Sequence, residues 1–152
     1  MTALLLGTII WSGAQAQTGT LAEFTQAMDQ FESAFETVLK IKIPDRRAEI
    51  AQVDLPTLVS ELDRWEKSIW PVRAITPPRR RFDPNVLEGM TEGVQKPLRR
   101  LIERGFVPAN GPLTSNKPLT AERIGDAVGY FISRTAEITH QPSRKFTPAL
   151  MD

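Results

Sequence analysis

Residues 71–84 read PVRAITPPRRRFDP, and no other segment limits the fold of this chain as strongly. Each of its four prolines lacks a backbone N–H and fixes φ, so no continuous helix runs through it. Sequence on both sides carries helical periodicity. The chain therefore divides into a helical part over 17–70, an extended connector over 71–84, a second helical part over 85–140 and a tail over 141–152. The total of 152 residues suits one domain with such an extension.

The first helical part is led by residues 20–42. Leu21, Phe24, Met28, Phe31, Phe35, Val38 and Leu39 recur at spacings of three and four, which predicts one apolar stripe. Thr20 and Glu23 have the spacing of a capping box, and Pro44 is placed to stop the helix. The stripe must dock on something, either the rest of the chain or a partner. In the second case Phe24, Phe31 and Phe35 are partner-binding residues. A short helix is expected over 45–53. A longer one over 55–69 has Asp54 as N-cap, Pro56 in its first turn and Leu58, Leu62, Trp65 and Ile69 on one face. Its other side bears Glu61, Asp63, Arg64, Glu66 and Lys67, which reads as a solvated mixed-charge surface.

Beyond the connector, Val86, Leu87, Met90 and Val94 predict a helix over 85–94. Pro97 then starts another over 98–104, stopped at Gly105, with Phe106 placed to pack back on Leu101. Thr120 caps a last helix, Leu119 and Ile124 form a hydrophobic staple across its start, and Ile124, Ala127, Val128, Phe131, Thr135 and Ile138 share one face. The sum is an all-α fold, a small bundle of four to six helices.

Charge is unevenly distributed along the chain. Residues 20–70 hold ten acidic and six basic side chains, whereas residues 71–117 hold four acidic and nine basic. The halves can attract each other, or orient the chain on a partner. Arg79, Arg80 and Arg81 form the densest basic knot, and the flanking prolines predict that they splay outward. They read either as an anion-binding patch for acidic glycan, phospholipid head groups or an acidic protein face, or as a solvated turn that neutralises the acidic half. A net charge of +1 excludes a chain-wide nucleic-acid footprint.

The first residues read MTALLLGTIIWSGAQAQ. An apolar run over 3–11 followed by Ala14-Gln15-Ala16 has the order of a secretory signal over 1–16, and the run is shorter than the roughly 20 apolar residues of a membrane span. The expectation is an exported protein of the periplasm or cell envelope, with the thylakoid lumen as alternative. It would be peripheral to a membrane rather than spanning it. The absence of cysteine excludes disulfides and thiolate metal ligands. His140 is the single histidine, and no HExxH, GxSxG, P-loop or dinucleotide-binding pattern occurs. These readings predict no metal, no cofactor and no catalytic residues.

Residues 98–123 carry a further pattern: a helix, Gly105-Phe106, a loop with Pro, Asn and Gly, then Leu119-Thr120-Ala121-Glu122-Arg123. With Phe82-Asp83 upstream, residues 82–138 resemble a single S-layer homology (SLH) module. Such a resemblance implies a helix–loop–helix that ties proteins to the cell envelope, with glycan-binding residues at Thr120, Asn116 and Lys117. Ala121 stands where the family has arginine, and Arg123 where it has the glutamate of a capping box. The function expected is a non-enzymatic interaction module that binds cell-wall polysaccharide or an envelope protein. The alternative is a structural or assembly subunit of a membrane-associated complex.

Overall fold

The computed structural model of the chain describes residues 17–114 and 118–147, and among them every regular element is helical. Four α-helices, α1 (Gln17–Leu39), α2 (Leu55–Ile69), α3 (Glu92–Glu103) and α4 (Ala121–Thr139), form a small all-α bundle. Short 3-10 turns lie at Trp70–Val72, Pro84–Leu87 and Ser143–Phe146. The expected signal segment over 1–16 lies outside the described residues. None of the helices described is long and apolar enough to cross a membrane.

Helix α1 buries Phe24, Met28, Phe31 and Phe35 along one stripe. It begins before Thr20, which is therefore an interior position rather than a cap. Its end is also not set by Pro44. Lys40 takes a left-handed φ of 56°, and the Ile41 N–H reaches back to the Glu36 carbonyl at 3.2 Å. That closure satisfies a carbonyl that would otherwise lack a partner.

The expected helix over 45–53 does not form. Arg46 binds Asp29 of α1 at 2.8 Å and Glu61 of α2 at 2.7 Å, while Arg64 donates to the Pro44 carbonyl at 2.7 Å. These bonds hold the segment as an irregular strap across both helices. Helix α2 begins as expected: the Asp54 carboxylate accepts from the Thr57 N–H at 2.9 Å, and Pro56 occupies the first turn. It packs against α1, α3 and α4. Contact on three sides explains why its charged side is not the solvated surface that the sequence suggests. Glu61 and Glu66 are buried, and Lys67 remains exposed.

Trp65 lies at the centre of the core. Its ring meets Phe35 at 5.2 Å, Phe131 at 5.6 Å and Phe31 at 6.4 Å, all edge-to-face. The indole N–H donates to Glu32 at 3.1 Å, so the polar edge of the ring is satisfied. Phe146 comes from the segment read as a tail, yet it is buried 5.2 Å from Phe35.

Two expected helices, over 85–94 and 98–104, are replaced by a 3-10 turn and one longer α-helix. Gly89, at φ 87°, separates Pro84–Leu87 from α3. Helix α3 then runs through Pro97 rather than starting there. The proline removes one helical hydrogen bond, while Val94, Leu98, Leu101 and Ile102 stay on one buried stripe, so packing holds the helix together. Its end matches the sequence. Gly105 is left-handed at φ 84°, its N–H bonds the Ile102 carbonyl at 3.0 Å, and the Phe106 N–H bonds the Leu101 carbonyl at 2.8 Å.

Helix α4 has the expected cap, with the Thr120 hydroxyl accepting from the Arg123 N–H at 3.2 Å, and the expected face, from Ile124 to Ile138, is buried. The connector is strapped down along its length. The N–H groups of Ala74 and Ile75 donate to the Ile138 carbonyl at 2.7 and 3.2 Å, and that of Arg80 donates to the Glu103 carbonyl at 2.8 Å. The proline-rich segment thus crosses the ends of α4 and α3 and forms a wall beside α3.

Candidate functional site

On α3, Lys96, Arg99, Arg100, Glu103 and Arg104 follow one another at spacings of one, three and four, so they share the face opposite the buried stripe. The connector lies alongside this face. Thr76, Pro77 and Arg79 form the second wall, and Trp70 closes one end. Together they enclose a cleft of about 560 Å³ with five basic side chains and one acidic side chain on its walls.

Two of its lining residues, Arg100 and Arg104, also belong to an ion-pair network between α2 and α3. Arg100 Nε donates to Glu66 Oε1 at 2.9 Å, and the same guanidinium pairs with Asp63. Arg104 Nη1 donates to Glu66 Oε2 at 2.5 Å. The Arg104 guanidinium also lies 4.4 Å from the centroid of the Trp70 ring, and Arg73 lies 4.3 Å from that centroid. Each can gain from the ring's electron-rich face. Burial pushes the Glu66 carboxyl above its ordinary range, with Arg104 and Lys67 pulling it back in part. Burial, followed by the nearby charge of Arg104, lowers Arg100. The acidic and basic halves of the sequence do attract each other, and this network is where they meet.

Nearer the surface the balance changes. Arg79 pairs with Glu103 at 2.6 Å, and Arg80 Nη1 donates to the Tyr130 hydroxyl at 2.8 Å. Arg99 lies over the Phe82 ring at 5.7 Å. Arg81, Lys96 and Arg99 are exposed, and none has a carboxylate partner among the described residues. The cleft can therefore hold an anion by charge and by the planar donor groups of arginine. Glu66 and Glu103 pair with arginines of its walls.

The expected partner-binding residues are only partly brought together. Of the basic knot, Arg79 lines the cleft, Arg80 ties the connector to α4 and Arg81 projects into solvent. Phe24, Phe31 and Phe35 belong to the chain's own core and offer no exposed docking stripe. Of the glycan-binding residues implied by the SLH resemblance, Asn116 and Lys117 lie outside the described residues. The Thr120 hydroxyl caps α4 at the edge of a polar recess that also includes Arg123, Glu122 and Asp126. His140 is exposed at the end of α4, in a left-handed conformation at φ 56°.

Sequence reasoning missed Trp70, Lys96, Arg99 and Arg104 as cleft residues. The excess of basic residues over 71–117 pointed to the region, and the heptad-like spacing of 96, 99, 100, 103 and 104 could have found the face. No family model, curated protein or solved structure matches this chain.

Proposed function

We propose that this chain is a non-enzymatic interaction module of the cell envelope that holds an anionic partner at the cleft between α3 and the connector. The observation that carries this reading is that Lys96 and Arg99, without carboxylate partners, line an aromatic-ended cleft, with Arg81 exposed on the connector that walls it. By contrast, Arg46, Arg64, Arg100 and Arg104 are engaged by the chain's own acids. The apolar run over 3–11 and Ala14-Gln15-Ala16 support export, and the SLH-like order of 82–138 supports an envelope role.

The test is binding of the full chain to fluorescent poly-L-glutamate at low and high salt. Wild type is expected to bind, with affinity falling as salt rises, because screening at 0.15 M shortens the reach of exposed charges to about 8 Å. The variant Arg81→Gln/Lys96→Gln/Arg99→Gln should keep its melting temperature and lose most of the binding. Equal binding of the variant and wild type at low salt would overturn the assignment.

A further inference from the structure

Among the described residues, two large apolar side chains are conspicuously exposed, Val72 at 42% and Ile75 at 41%. Both lie on the connector, immediately before the Thr76 and Pro77 that wall the cleft. Between them Arg73 folds back onto Trp70, 4.3 Å from its ring centroid, and donates through Nε to the Thr76 hydroxyl at 2.8 Å. The backbone here is not loose. Ala74 and Ile75 are anchored by their N–H groups to the Ile138 carbonyl, so the two apolar side chains are displayed from a fixed position. The two apolar side chains thus stand on the same connector whose Thr76 and Pro77 face Lys96 and Arg99 across the cleft.

Resting on the reading above, we infer that the anionic partner is a lipid surface, with Val72 and Ile75 entering the interfacial region of an anionic bilayer and Arg81, Lys96 and Arg99 meeting its head groups. Charge complementarity and area both favour this occupant. A stable protein–protein interface buries about 800 Å² per partner and needs a shaped apolar centre, which two half-exposed side chains do not supply. A bilayer needs no matching shape. Shallow apolar insertion and several cations add together there, and neither suffices alone. Trp70, half-buried with a polar ring edge, is of the residue type enriched at the membrane–water boundary.

The experiment is co-sedimentation of the full chain with vesicles of phosphatidylglycerol and phosphatidylcholine in equal parts, against vesicles of phosphatidylcholine alone. Poly-L-glutamate binding is measured in parallel. Wild type is expected to sediment with the anionic vesicles only. Val72→Ser/Ile75→Ser should weaken vesicle binding about tenfold and leave poly-L-glutamate binding unchanged. Lys96→Gln/Arg99→Gln should weaken both, by about fivefold for each cation removed at the vesicle surface. Melting temperatures of both variants, unchanged from wild type, confirm that the surface and not the fold was altered. Binding to poly-L-glutamate without binding to anionic vesicles would overturn the lipid inference and leave the anionic-partner reading standing; binding to neither would overturn both. Equal sedimentation with the two kinds of vesicle, or full vesicle affinity in Val72→Ser/Ile75→Ser, would also overturn the lipid inference.

Discussion

Glu66 and Arg104 meet at 2.5 Å, with the carboxylate wholly buried and the guanidinium lying over the Trp70 ring. This contact joins α2 to α3 and fixes Arg104, which lines the cleft. The attraction between the halves of the chain therefore shapes the site that α3 presents. Removing the acid leaves Arg104 without its carboxylate and Arg100 with Asp63 alone. Glu66→Ala is expected to destabilise the fold by about 3–5 kcal/mol, the range for breaking one side of a buried ion pair. Urea denaturation checks it, and a loss below about 1 kcal/mol would mean that water satisfies the arginines.

The same residue gives a pH signature of defined sign. Burial raises the Glu66 carboxyl in the folded state, so the folded chain binds its proton more tightly than the unfolded chain. The contribution of Glu66 is then fully present below its unfolded pKa and is lost as pH rises through the higher folded value. Glu66→Gln removes this titration. The melting temperature of wild type relative to Glu66→Gln should therefore increase as pH falls from 7 toward 4. A decrease would show that the arginines outweigh burial.

How much of this was legible in the sequence depends on which force decides each element. Local chemistry sets three boundaries as the sequence predicts, with Asp54 capping α2, Thr120 capping α4 and Gly105 ending α3, whereas α1 starts before Thr20 and ends before Pro44. Where tertiary packing decides, the reading fails. Pro97 has the local signature of a helix start, but the stripe from Val94 to Ile102 carries α3 through it. Residues 45–53 carry a helical signal, but Arg46 is drawn to Asp29 and Glu61 on two other elements. The charge of Glu66 points to a solvated face, whereas its position does not. It lies four residues after Leu62 and three before Ile69, on the edge of the buried stripe. The cleft was visible only as an excess of basic residues, because its two walls come from segments that the backbone brings together.

Gly89 and Gly105 separate strain from crowding. Both have left-handed φ, at 87° and 84°. A Cβ at Gly89 would meet nothing within 4 Å, whereas one at Gly105 would lie 2.9 Å from Arg134 Nη2 and 3.1 Å from Arg80 Nε. Gly89→Ala should cost about 1–2 kcal/mol, the backbone penalty alone. Gly105→Ala should cost more, because Arg134 also donates to the Gly105 carbonyl at 2.9 Å and has little freedom to retreat. Equal losses in thermal melts would show that the arginines yield freely.

At the start of α4 the cap and the core can be told apart. Thr120→Ala removes the hydroxyl that satisfies the Arg123 N–H and should cost about 0.5–2 kcal/mol. Ile124→Ala truncates a side chain that is 1% exposed and should cost about 2–5 kcal/mol. The expected order, with Ile124→Ala the more damaging, is checked by chemical denaturation of both variants. The reverse order would mean that the first turn of α4 is held by its cap rather than by the core beneath it.

Phe146 tests whether the final described segment is part of the folded core. It follows α4 on a 3-10 turn, Ser143–Phe146, and its neighbours Arg144 and Lys145 are exposed. Nothing in that local sequence marks the phenylalanine as a core residue. The ring nevertheless packs 5.2 Å from Phe35, which in turn contacts Trp65 and Phe131. The turn thereby brings the end of α4 back onto α1, and Phe146 covers one side of the aromatic cluster. Phe146→Ala should cost about 3–5 kcal/mol, since it opens a cavity on the side of the Phe35 ring that Phe146 covers. Lys145→Ala, one residue away and exposed, should leave stability within about 0.5 kcal/mol of wild type. Near-UV circular dichroism adds a second readout, because loss of the Phe146 contact should weaken the asymmetric packing around Trp65. Wild-type melting and an unchanged spectrum in Phe146→Ala would show that the segment after α4 is not needed to close the core.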